Sequence, residues 1–232
     1  MHLKRLNTPK RWNLSKKQTV FIARPRPGSS SKLMSLPLIV VLRDNLKLIS
    51  TKSEAKSLIN EKKIMVNSKP MMDLNYPIGL FDVITIAVIN ANYRMVLDYK
   101  GGLKPIKISE DESSLKLLKL ENKKRLKKGQ IQLNFSGGKN LISKDKVKIN
   151  DSVLFDLKKN KIVKVLPIKK GSKVLVIKGK HAGEIAVLEG FKEFEDVIKD
   201  RAILSNKGVT YQTMKDYVFV VGEAKEEIKI KE

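Results

Sequence analysis

The first 43 residues of this chain contain ten basic residues and no acidic one, because Asp44 is the first carboxylate in the sequence. The same stretch holds three prolines before Gly28 and three consecutive serines at 29–31. A segment with so much charge of one sign cannot bury enough apolar surface to fold alone. We therefore predict that residues 1–36 form an extended basic arm that becomes ordered on contact with a partner.

The whole chain is strongly positive. Its 232 residues include 48 Lys and Arg against 24 Asp and Glu, which gives a formal net charge of +24. A protein with this charge repels itself unless it meets a polyanion. The apolar fraction of 41% still allows small hydrophobic cores, and the length allows one to three small domains. No apolar run reaches about 18 residues, so we expect no membrane-spanning helix, and the N-terminus does not resemble a secretory signal.

The residue types that most catalytic and metal sites need are scarce. The chain has no Cys, which excludes thiolate zinc sites, disulfides, iron–sulfur clusters and thiol nucleophiles. His181 has no Ser or Cys partner, so we interpret it as a loop or nucleic-acid contact. The loop 178–183 lacks the G-x-x-x-x-G-K-[ST] pattern of a P-loop, and Ser-Gly-Gly-Lys at 136–139 is interpreted as a hairpin turn rather than a nucleotide site. We predict no enzymatic activity, metal or cofactor.

Arginine and tryptophan in the arm suit contact with nucleic acid. The guanidinium fork of Arg holds phosphates with two hydrogen bonds and also stacks on bases. Trp12 lies between two pairs of basic residues, so its ring either stacks on a base or packs against the protein's own core. The candidate RNA-binding residues of the arm are Lys4, Arg5, Lys10, Arg11, Trp12, Lys16, Lys17, Arg24, Arg26 and Lys32.

Residues 37–90 are predicted to form two short helices followed by strands. After Pro37, apolar residues recur at three- and four-residue steps, as on one face of a helix. Thr51 and Glu54 have the spacing of a capping box and predict the start of a second helix. Apolar runs at 64–66 and 81–86 predict strands. The candidate contacts on or near the helices are Arg43, Lys47, Lys52, Lys56, Lys62 and Lys63, with Lys69 following in a turn.

Beyond residue 90, alternation of apolar and polar residues replaces the helical period and predicts short strands of a small barrel or curled sheet. The runs lie at 93–97, 131–135, 153–157, 162–166, 174–177, 184–188 and 218–221. Residues 113–128 fit either a basic amphipathic helix or a helical turn that runs into a strand, and we favour the second. The glycine loop that follows the 174–177 run adds the candidate contacts Lys178, Lys180 and His181.

Several strings, taken together and in order, resemble one known family. They are His2-Leu3-Lys4-Arg5-Leu6, Pro9-Lys10-Arg11-Trp12, Arg24-Pro25-Arg26-Pro27-Gly28, Leu42-Arg43-Asp44, Tyr76-Pro77-Ile78-Gly79-Leu80-Phe81-Asp82-Val83-Ile84, Asp98-Tyr99-Lys100-Gly101 and Lys161-Ile162-Val163. The loop 178–183 is similar to the KOW motif of several ribosomal proteins and transcription elongation factors. Over nearly its whole length, the chain resembles the archaeal and eukaryotic family of small-subunit ribosomal protein four of the "e" type.

This resemblance implies an α+β, multi-domain fold. Its parts would be a basic extended arm at 1–36, a two-helix-plus-strands alpha-L RNA-binding domain at 37–90, a family-specific β-rich domain at 91–167, an SH3-like KOW β-barrel at 168–222 and a flexible tail at 223–232. The implied role is that of a structural constituent of the small ribosomal subunit in the cytoplasm. The implied partners are ribosomal RNA of the small subunit and neighbouring small-subunit ribosomal proteins, with no membrane and no small-molecule substrate.

Two other functions stay open at this point. Alpha-L domains also occur in RNA-modifying enzymes and tRNA synthetases, but residues 91–232 are too short and too alternating to supply a catalytic domain of that kind. A free RNA-binding regulator or elongation-type factor would use the KOW module instead. For the ribosomal role that the resemblance implies, Lys and Arg would replace counterions on phosphates. Recognition would then depend mainly on the shape and backbone of the RNA.

Overall fold

The computed structural model describes residues 3–143, 146–192, 200–206, 208–223 and 225–231. The architecture is mixed, with few helices and several antiparallel sheets. It agrees with the α+β class predicted from the sequence. Among the helices of the described ranges, none has the length and apolar character that crossing a bilayer requires.

Most elements are short strands. In chain order the strands are β1 (Leu3–Lys4), β2 (Phe21–Ile22), β3 (Ser35–Pro37), β4 (Ile64–Val66), β5 (Lys69–Pro70), β6 (Pro77–Gly79), β7 (Val83–Ile86), β8 (Ala91–Leu97), β9 (Leu103–Ile108), β10 (Leu115–Arg125), β11 (Ile131–Phe135), β12 (Lys139–Ile142), β13 (Ser152–Asp156), β14 (Lys161–Leu166), β15 (Lys173–Val176), β16 (Ile185–Lys192), β17 (Arg201–Asn206), β18 (Val209–Met214) and β19 (Val218–Gly222). The α-helices are α1 (Leu38–Val40), which continues into a π-helical turn at Val41–Asn45, and α2 (Lys52–Asn60). Single 3-10 turns lie at Arg5–Asn7, Lys10–Trp12, Lys32–Met34, Ala87–Ile89, Asp111–Ser114, Lys127–Gly129, Ser136–Gly138 and Lys215–Tyr217.

The described residues form three five-stranded antiparallel sheets. The first sheet has the strand order β5-β4-β7-β8-β9, the central sheet β12-β11-β10-β13-β14, and the C-terminal sheet β18-β17-β16-β15-β19. Two further pairs, β1 with β2 and β3 with β6, are also antiparallel. Antiparallel neighbours need only short connections, which fits the close spacing of turn residues in the sequence.

The capping box predicted at Thr51 and Glu54 is confirmed. The Thr51 hydroxyl accepts a hydrogen bond from the Glu54 N–H at 3.2 Å, and the Glu54 carboxylate accepts from the N–H groups of Ser50 at 2.9 Å and Thr51 at 3.5 Å. These bonds satisfy N–H groups that lack an intrahelical partner at a helix start, so α2 begins directly after Thr51. The same hydrogen bonds lower the pKa of the Glu54 carboxyl.

The first predicted helix begins where expected but ends early. Helical geometry starts at Leu38, yet the Leu46 N–H bonds to the carbonyl of Val41 at 2.9 Å, five residues back, and closes the segment as a π turn. Residues 36–42 are all buried, not only those on one face. Packing on every side of this short segment, rather than an amphipathic period, therefore decides its extent.

The predicted strands are confirmed, because β4, β7, β8, β11, β13, β14, β15, β16 and β19 each cover most of a predicted run. Residues 113–128 contain the end of a 3-10 turn at Asp111–Ser114 and then β10, which is the alternative favoured from the sequence. Strands β17 and β18 were not predicted. β17 buries Ala202 and Leu204 at alternate positions, whereas β18 has no fully buried residue.

One hydrophobic core extends from the N-terminal segment to the C-terminal sheet. Leu3, Trp12 and Ile22 belong to the same buried cluster as α1 and as Val174 of β15. The central sheet has a second core, in which Phe155 is fully buried. Residues 3–36 therefore complete the core of more distant elements.

The prediction of an extended arm is thus corrected. The N-terminal segment, residues 3–36, contains the β1–β2 pair, with Leu3 opposite Ile22, and it buries Trp12 completely. Its few apolar side chains are too sparse to form a core among themselves, but they are buried against surfaces supplied by other parts of the chain. Local composition contains no information about those surfaces.

The prediction of a flexible tail is corrected in the same way for residues 225–231. Ile228 and Ile230 are 2% and 1% exposed and belong to the main core. The Lys229 N–H between them donates to the Glu112 carboxylate at 3.1 Å. Alternating isoleucines form a short apolar face, so this mixed-charge segment packs against the protein. Residues 224 and 232 lie outside the described ranges.

Arg94, Lys116 and Lys119 are buried cations that connect parts of the fold that are distant in sequence. Arg94 of β8 is fully buried and donates to the Glu112 carboxylate at 2.6 Å and to the carbonyls of Glu112, Leu115 and Lys229. Burial lowers the pKa of Arg94, while the neighbouring carboxylate opposes that effect. These partners satisfy the two terminal nitrogens of the guanidinium and offset much of the cost of burying its charge, while Nε has no partner among the described residues.

The second buried cation, Lys116 of β10, joins the central sheet to the first sheet. Its ammonium contacts Asp82 Oδ1 at 2.5 Å, and the two side chains are 7% and 3% exposed. Asp82 also accepts hydrogen bonds from the Asn67 amide at 2.8 Å and from the Gly79 N–H at 2.6 Å. The carboxylate is therefore the common acceptor for groups on three separate segments.

The third buried cation, Lys119 of β10, joins the central sheet to the C-terminal sheet. Its ammonium donates to the carbonyls of Asp216 at 3.1 Å and Val218 at 2.8 Å. Desolvation by burial lowers the pKa of Lys119 to about 8, partly opposed by the charges of Asp216 and Glu121. Neutral carbonyls do not offset the cost of burying a charge as fully as a carboxylate does.

We expect Asp82→Ala to lower the free energy of unfolding by about 3–5 kcal/mol, because it leaves the Lys116 charge buried without its partner. Adding Lys116→Met to Asp82→Ala is expected to recover much of that loss, since the double variant has no unpaired charge. Urea denaturation of the single and double variants measures both effects. A loss below about 1 kcal/mol for Asp82→Ala would show that the pair contributes little.

The lowered pKa of Lys119 predicts a pH dependence of stability. Below about pH 8 Lys119 is protonated in both the folded and the unfolded chain, so the folded state carries the full cost of burying its charge. Between about pH 8 and the ordinary value of 10.5, the folded chain releases this proton while the unfolded chain keeps it, and stability rises.

The stability difference between the wild type and Lys119→Met isolates this group, because other titrating groups contribute to both proteins. We expect the wild type to gain about 2–3 kcal/mol relative to Lys119→Met from pH 7 to about pH 10.5, since a tenfold change in proton affinity corresponds to about 1.4 kcal/mol. Urea denaturation at several pH values gives the difference. A constant difference would contradict the assignment.

Candidate nucleic-acid interface

Most of the basic residues predicted to contact RNA are exposed. Fourteen of the nineteen candidates lie on the surface: Lys4, Lys10, Lys16, Lys17, Arg24, Arg26, Lys32, Lys47, Lys52, Lys56, Lys62, Lys63, Lys178 and Lys180. Arg11, Arg43 and His181 are half-buried, and Arg5 and Trp12 are buried. The surface candidates come from the N-terminal segment, from α2 with its flanking turns, and from the loop 178–183.

Arg5 is occupied within the protein. Its guanidinium donates to the Ser15 carbonyl at 2.5 Å, the Gln18 amide oxygen at 2.9 Å and the Thr19 hydroxyl at 3.1 Å, and it lies 3.8 Å from the Asp44 carboxylate. With 2% exposure, it holds the loop between β1 and β2 closed. The prediction that Arg5 contacts phosphate does not fit this burial, so we leave Arg5 out of the interface.

Trp12 and Arg11 attach the N-terminal segment to the rest of the molecule. The Trp12 ring is fully buried in the main core, so packing on the protein itself is the alternative that the structure supports. Arg11 donates to the carbonyl of Ile177 at 2.8 Å and contacts the sulfur of Met34. Desolvation lowers the pKa of Arg11. Arg11 thus joins the segment to the residue that follows β15, and Trp12 anchors it in the main core.

The α2 surface, defined here by Lys47, Lys52, Lys56 and Lys62, carries uncompensated positive charge. Lys52 and Lys56 are one helical turn apart and lie on the same face. Among the residues that the structure describes, no carboxylate forms an ion pair with any of these four lysines.

The acidic residues near the α2 surface are already engaged. Asp44 pairs with Arg43 at 2.9 Å, and Glu61 pairs with Lys63 at 2.5 Å. Glu54 is used in the capping box. The local carboxylates therefore do not neutralise the α2 surface, and an external anion is the remaining source of compensation.

The loop 178–183 is shaped by close contact with a neighbouring turn. A Cβ atom at Gly183 would lie 1.8 Å from the carbonyl oxygen of Asp98, and Gly183 has a φ of +90°, so glycine is required there. His181 stacks on Tyr211 with ring centroids 4.0 Å apart, and its Nδ1 lies 3.2 Å from Glu184. This turn leaves Lys178 and Lys180 exposed beside each other.

A cleft between the first and central sheets contains basic residues that the sequence did not connect. We define the lysine cleft as the opening of about 510 Å³ whose lining includes Lys69, Lys116, Lys139 and Ser29. From the sequence, Lys69 lies near the helices and residues 136–139 are predicted to form a hairpin turn, which the 3-10 turn between β11 and β12 confirms. No local motif links these lysines, because the fold brings them together from distant segments.

Two family models match the chain. The model of the ribosomal family S4e matches residues 89–162, which include most of the central sheet. The model of the RS4NT (NUC023) domain matches residues 1–29, within which lie β1, β2 and Trp12.

Curated relatives match over almost the full length. The small ribosomal subunit protein eS4 of Methanocella arvoryzae is 36% identical over 222 residues, which cover 96% of this chain and 94% of that protein. The protein of the same name from Korarchaeum cryptofilum is 36% identical over 231 residues, covering 99% of this chain and 97% of that protein.

A solved structure shares the fold. The crystal structure of the 30S ribosomal protein S4e from Thermoplasma acidophilum superposes with a TM-score of 0.70 at 26% sequence identity, and the match covers 82% of this chain and 96% of that chain. Fold, length and sequence therefore agree with the resemblance carried by the sequence strings. The chain belongs to the S4e family of ribosomal proteins.

Proposed function

We propose that this chain is a structural constituent of the small ribosomal subunit and binds ribosomal RNA through the exposed cations of the N-terminal segment and the α2 surface. The observation that carries the proposal is the uncompensated charge of Lys47, Lys52, Lys56 and Lys62 beside carboxylates that are already paired or capping. The curated relatives are named as proteins of the small ribosomal subunit, which supports the same role.

The mechanism that we propose is neutralisation of closely packed phosphates. Lysines that replace condensed counterions release those ions into solution, and this release favours binding at low salt. Because the ammonium groups lie on a folded surface, they present positive charge in a fixed arrangement. RNA segments that would otherwise repel each other can then approach across the protein. A structural rather than enzymatic role agrees with the family.

Two features support the finer domain assignments. The succession of α1, α2 and the strands up to β7 supports an alpha-L RNA-binding domain at 37–90. The C-terminal sheet, with the glycine loop between β15 and β16, supports a KOW-type barrel at 168–222. In this assignment Lys178 and Lys180 add a second basic contact beyond the α2 surface, and neighbouring proteins of the small subunit are the further partners.

Binding to small-subunit ribosomal RNA should weaken steeply as salt rises. For each phosphate that the protein neutralises, the slope of log affinity against log salt is expected to be about −0.7 to −0.9. Filter binding of the full chain to a transcript of the RNA at several salt concentrations gives this slope. A flat plot would contradict phosphate neutralisation.

Reversing charge on the α2 surface should weaken RNA binding specifically. We expect Lys52→Glu with Lys56→Glu to reduce the affinity for the RNA by about tenfold or more and to make the salt slope shallower by about 2, because two phosphate contacts are lost. Both side chains are exposed, so the thermal unfolding midpoint should stay close to that of the wild type.

The matched control for this experiment is Lys225→Glu with Lys231→Glu, which changes the net charge by the same amount on exposed side chains of the C-terminal segment. The control should lose much less affinity than the α2 variant. Equal losses for the two variants would mean that only net charge matters, and the α2 surface would have no particular role.

A further inference from the structure

The lysine cleft has the size and walls of a small-molecule site. Its volume of about 510 Å³ falls within the range of pockets that hold a single ligand, and it is too small to admit an RNA helix. Its lining includes the side chains of Tyr76 and Met71 together with Lys139 and the two glycines that precede it. Apolar and aromatic walls of this kind are suited to a flat ring.

The charges in the lysine cleft are all positive. No carboxylate is found among the described residues that line it. Lys116 is already paired with Asp82 at 2.5 Å, which leaves the ammonium groups of Lys69 and Lys139 without an acidic partner in the described structure. Lysines gathered in one opening repel each other, and a bound anion would remove that repulsion.

Lys139 is held by polar and aromatic contacts and is affected by the positive charges of the neighbouring lysines. Its ammonium donates to the amide oxygen of Asn160 at 2.5 Å and lies 5.1 Å from the centre of the Phe155 ring. Burial and the positive charges of Lys69 and Lys116 lower the pKa of Lys139. Hydrogen bonding to a neutral amide holds the side chain in place but leaves the charge uncompensated.

Glycine backbone and asparagine side chains form the rest of the polar lining of the lysine cleft. Gly137 and Gly138 both have positive φ, and a Cβ atom at Gly138 would lie 3.2 Å from Ser29, so the N-terminal segment closes directly against this turn. Asn67 and Asn160 add polar side chains to the same lining. Amides are the groups that read the hydrogen-bonding edges of bases.

We propose that the lysine cleft receives one unpaired nucleotide of an RNA strand, with its base against Tyr76 and Met71 and its phosphate between Lys69 and Lys139. This inference rests on the proposed function, because it assigns to an RNA-binding protein a place where a single base leaves the stack. It gives the protein a contact that distinguishes single-stranded from duplex RNA, in addition to the sequence-independent attraction of phosphates by the α2 surface.

The first measurement maps the contact directly. The full-length protein is irradiated with a single-stranded RNA oligonucleotide that carries 4-thiouridine, and the cross-linked peptides are identified by mass spectrometry. We expect cross-links to the peptides that contain Met71 and Tyr76 or Lys139. Free uridine monophosphate in excess should not prevent these cross-links, whereas unlabelled single-stranded RNA should; equal protection by both would assign the cleft to a free nucleotide and overturn the RNA-strand proposal.

The second measurement separates the cleft from net charge. We expect Lys69→Ala with Lys139→Ala to weaken single-stranded RNA about tenfold and to leave duplex RNA within about twofold of the wild type. The matched control is Lys123→Ala with Lys124→Ala, which removes two exposed lysines from another part of the central sheet. Tyr76→Leu, which changes no charge, should also weaken only single-stranded RNA.

The outcomes distinguish the two proposals. Wild-type binding with cross-links only outside the cleft, or equal losses for the cleft and control variants, would overturn the nucleotide site and leave the proposed function standing. Absence of binding to every RNA at low salt would overturn the proposed function, and the nucleotide site with it. Cleft cross-links together with a loss confined to single strands would support both.

Discussion

The buried ion pair between Lys116 and Asp82 determines how the first and central sheets meet. Asp82 lies in the turn before β7, and that turn holds Phe81 at a φ of +60° with its ring edge-on to Phe219 at 5.0 Å. One carboxylate thereby fixes a strained turn, a strand of the central sheet and one wall of the lysine cleft. In a chain with a net charge of +24, many cations are available to pair with each carboxylate. The fold pairs Asp82 with the buried Lys116 rather than with a lysine on the surface.

Local features of the fold could be predicted from the sequence, and non-local ones could not. The Thr51–Glu54 capping box and the strands with alternating apolar residues depend on neighbours within a few positions, so their patterns are visible in the chain. The packing of Trp12 and Ile230 depends on surfaces supplied by elements far away. Segments that look too polar to fold alone were therefore expected to be extended or flexible, although the structure buries their few apolar side chains.

The candidate site, too, could be predicted only in its local features. Composition indicates that the surface is cationic, but not which cations remain available. Arg5 and Arg11 have the chemistry of phosphate contacts, yet their guanidinium groups bind backbone and side-chain oxygens within the protein. Conversely, the residues next to Lys139 in sequence form no motif that would indicate a binding site. It becomes notable only because folding places it beside lysines from two other strands, and no linear motif records that arrangement.

The hydrogen bond between Arg11 and the carbonyl of Ile177 joins positions 166 residues apart. During synthesis, at about 5–20 residues per second, the two ends of this contact emerge roughly 10–30 s apart. The basic N-terminal segment therefore leaves the ribosome long before its docking surface on the C-terminal sheet exists. Throughout that interval the Arg11 guanidinium lacks the carbonyl acceptor that it has in the folded protein, so this contact can form only after most of the chain has been synthesised.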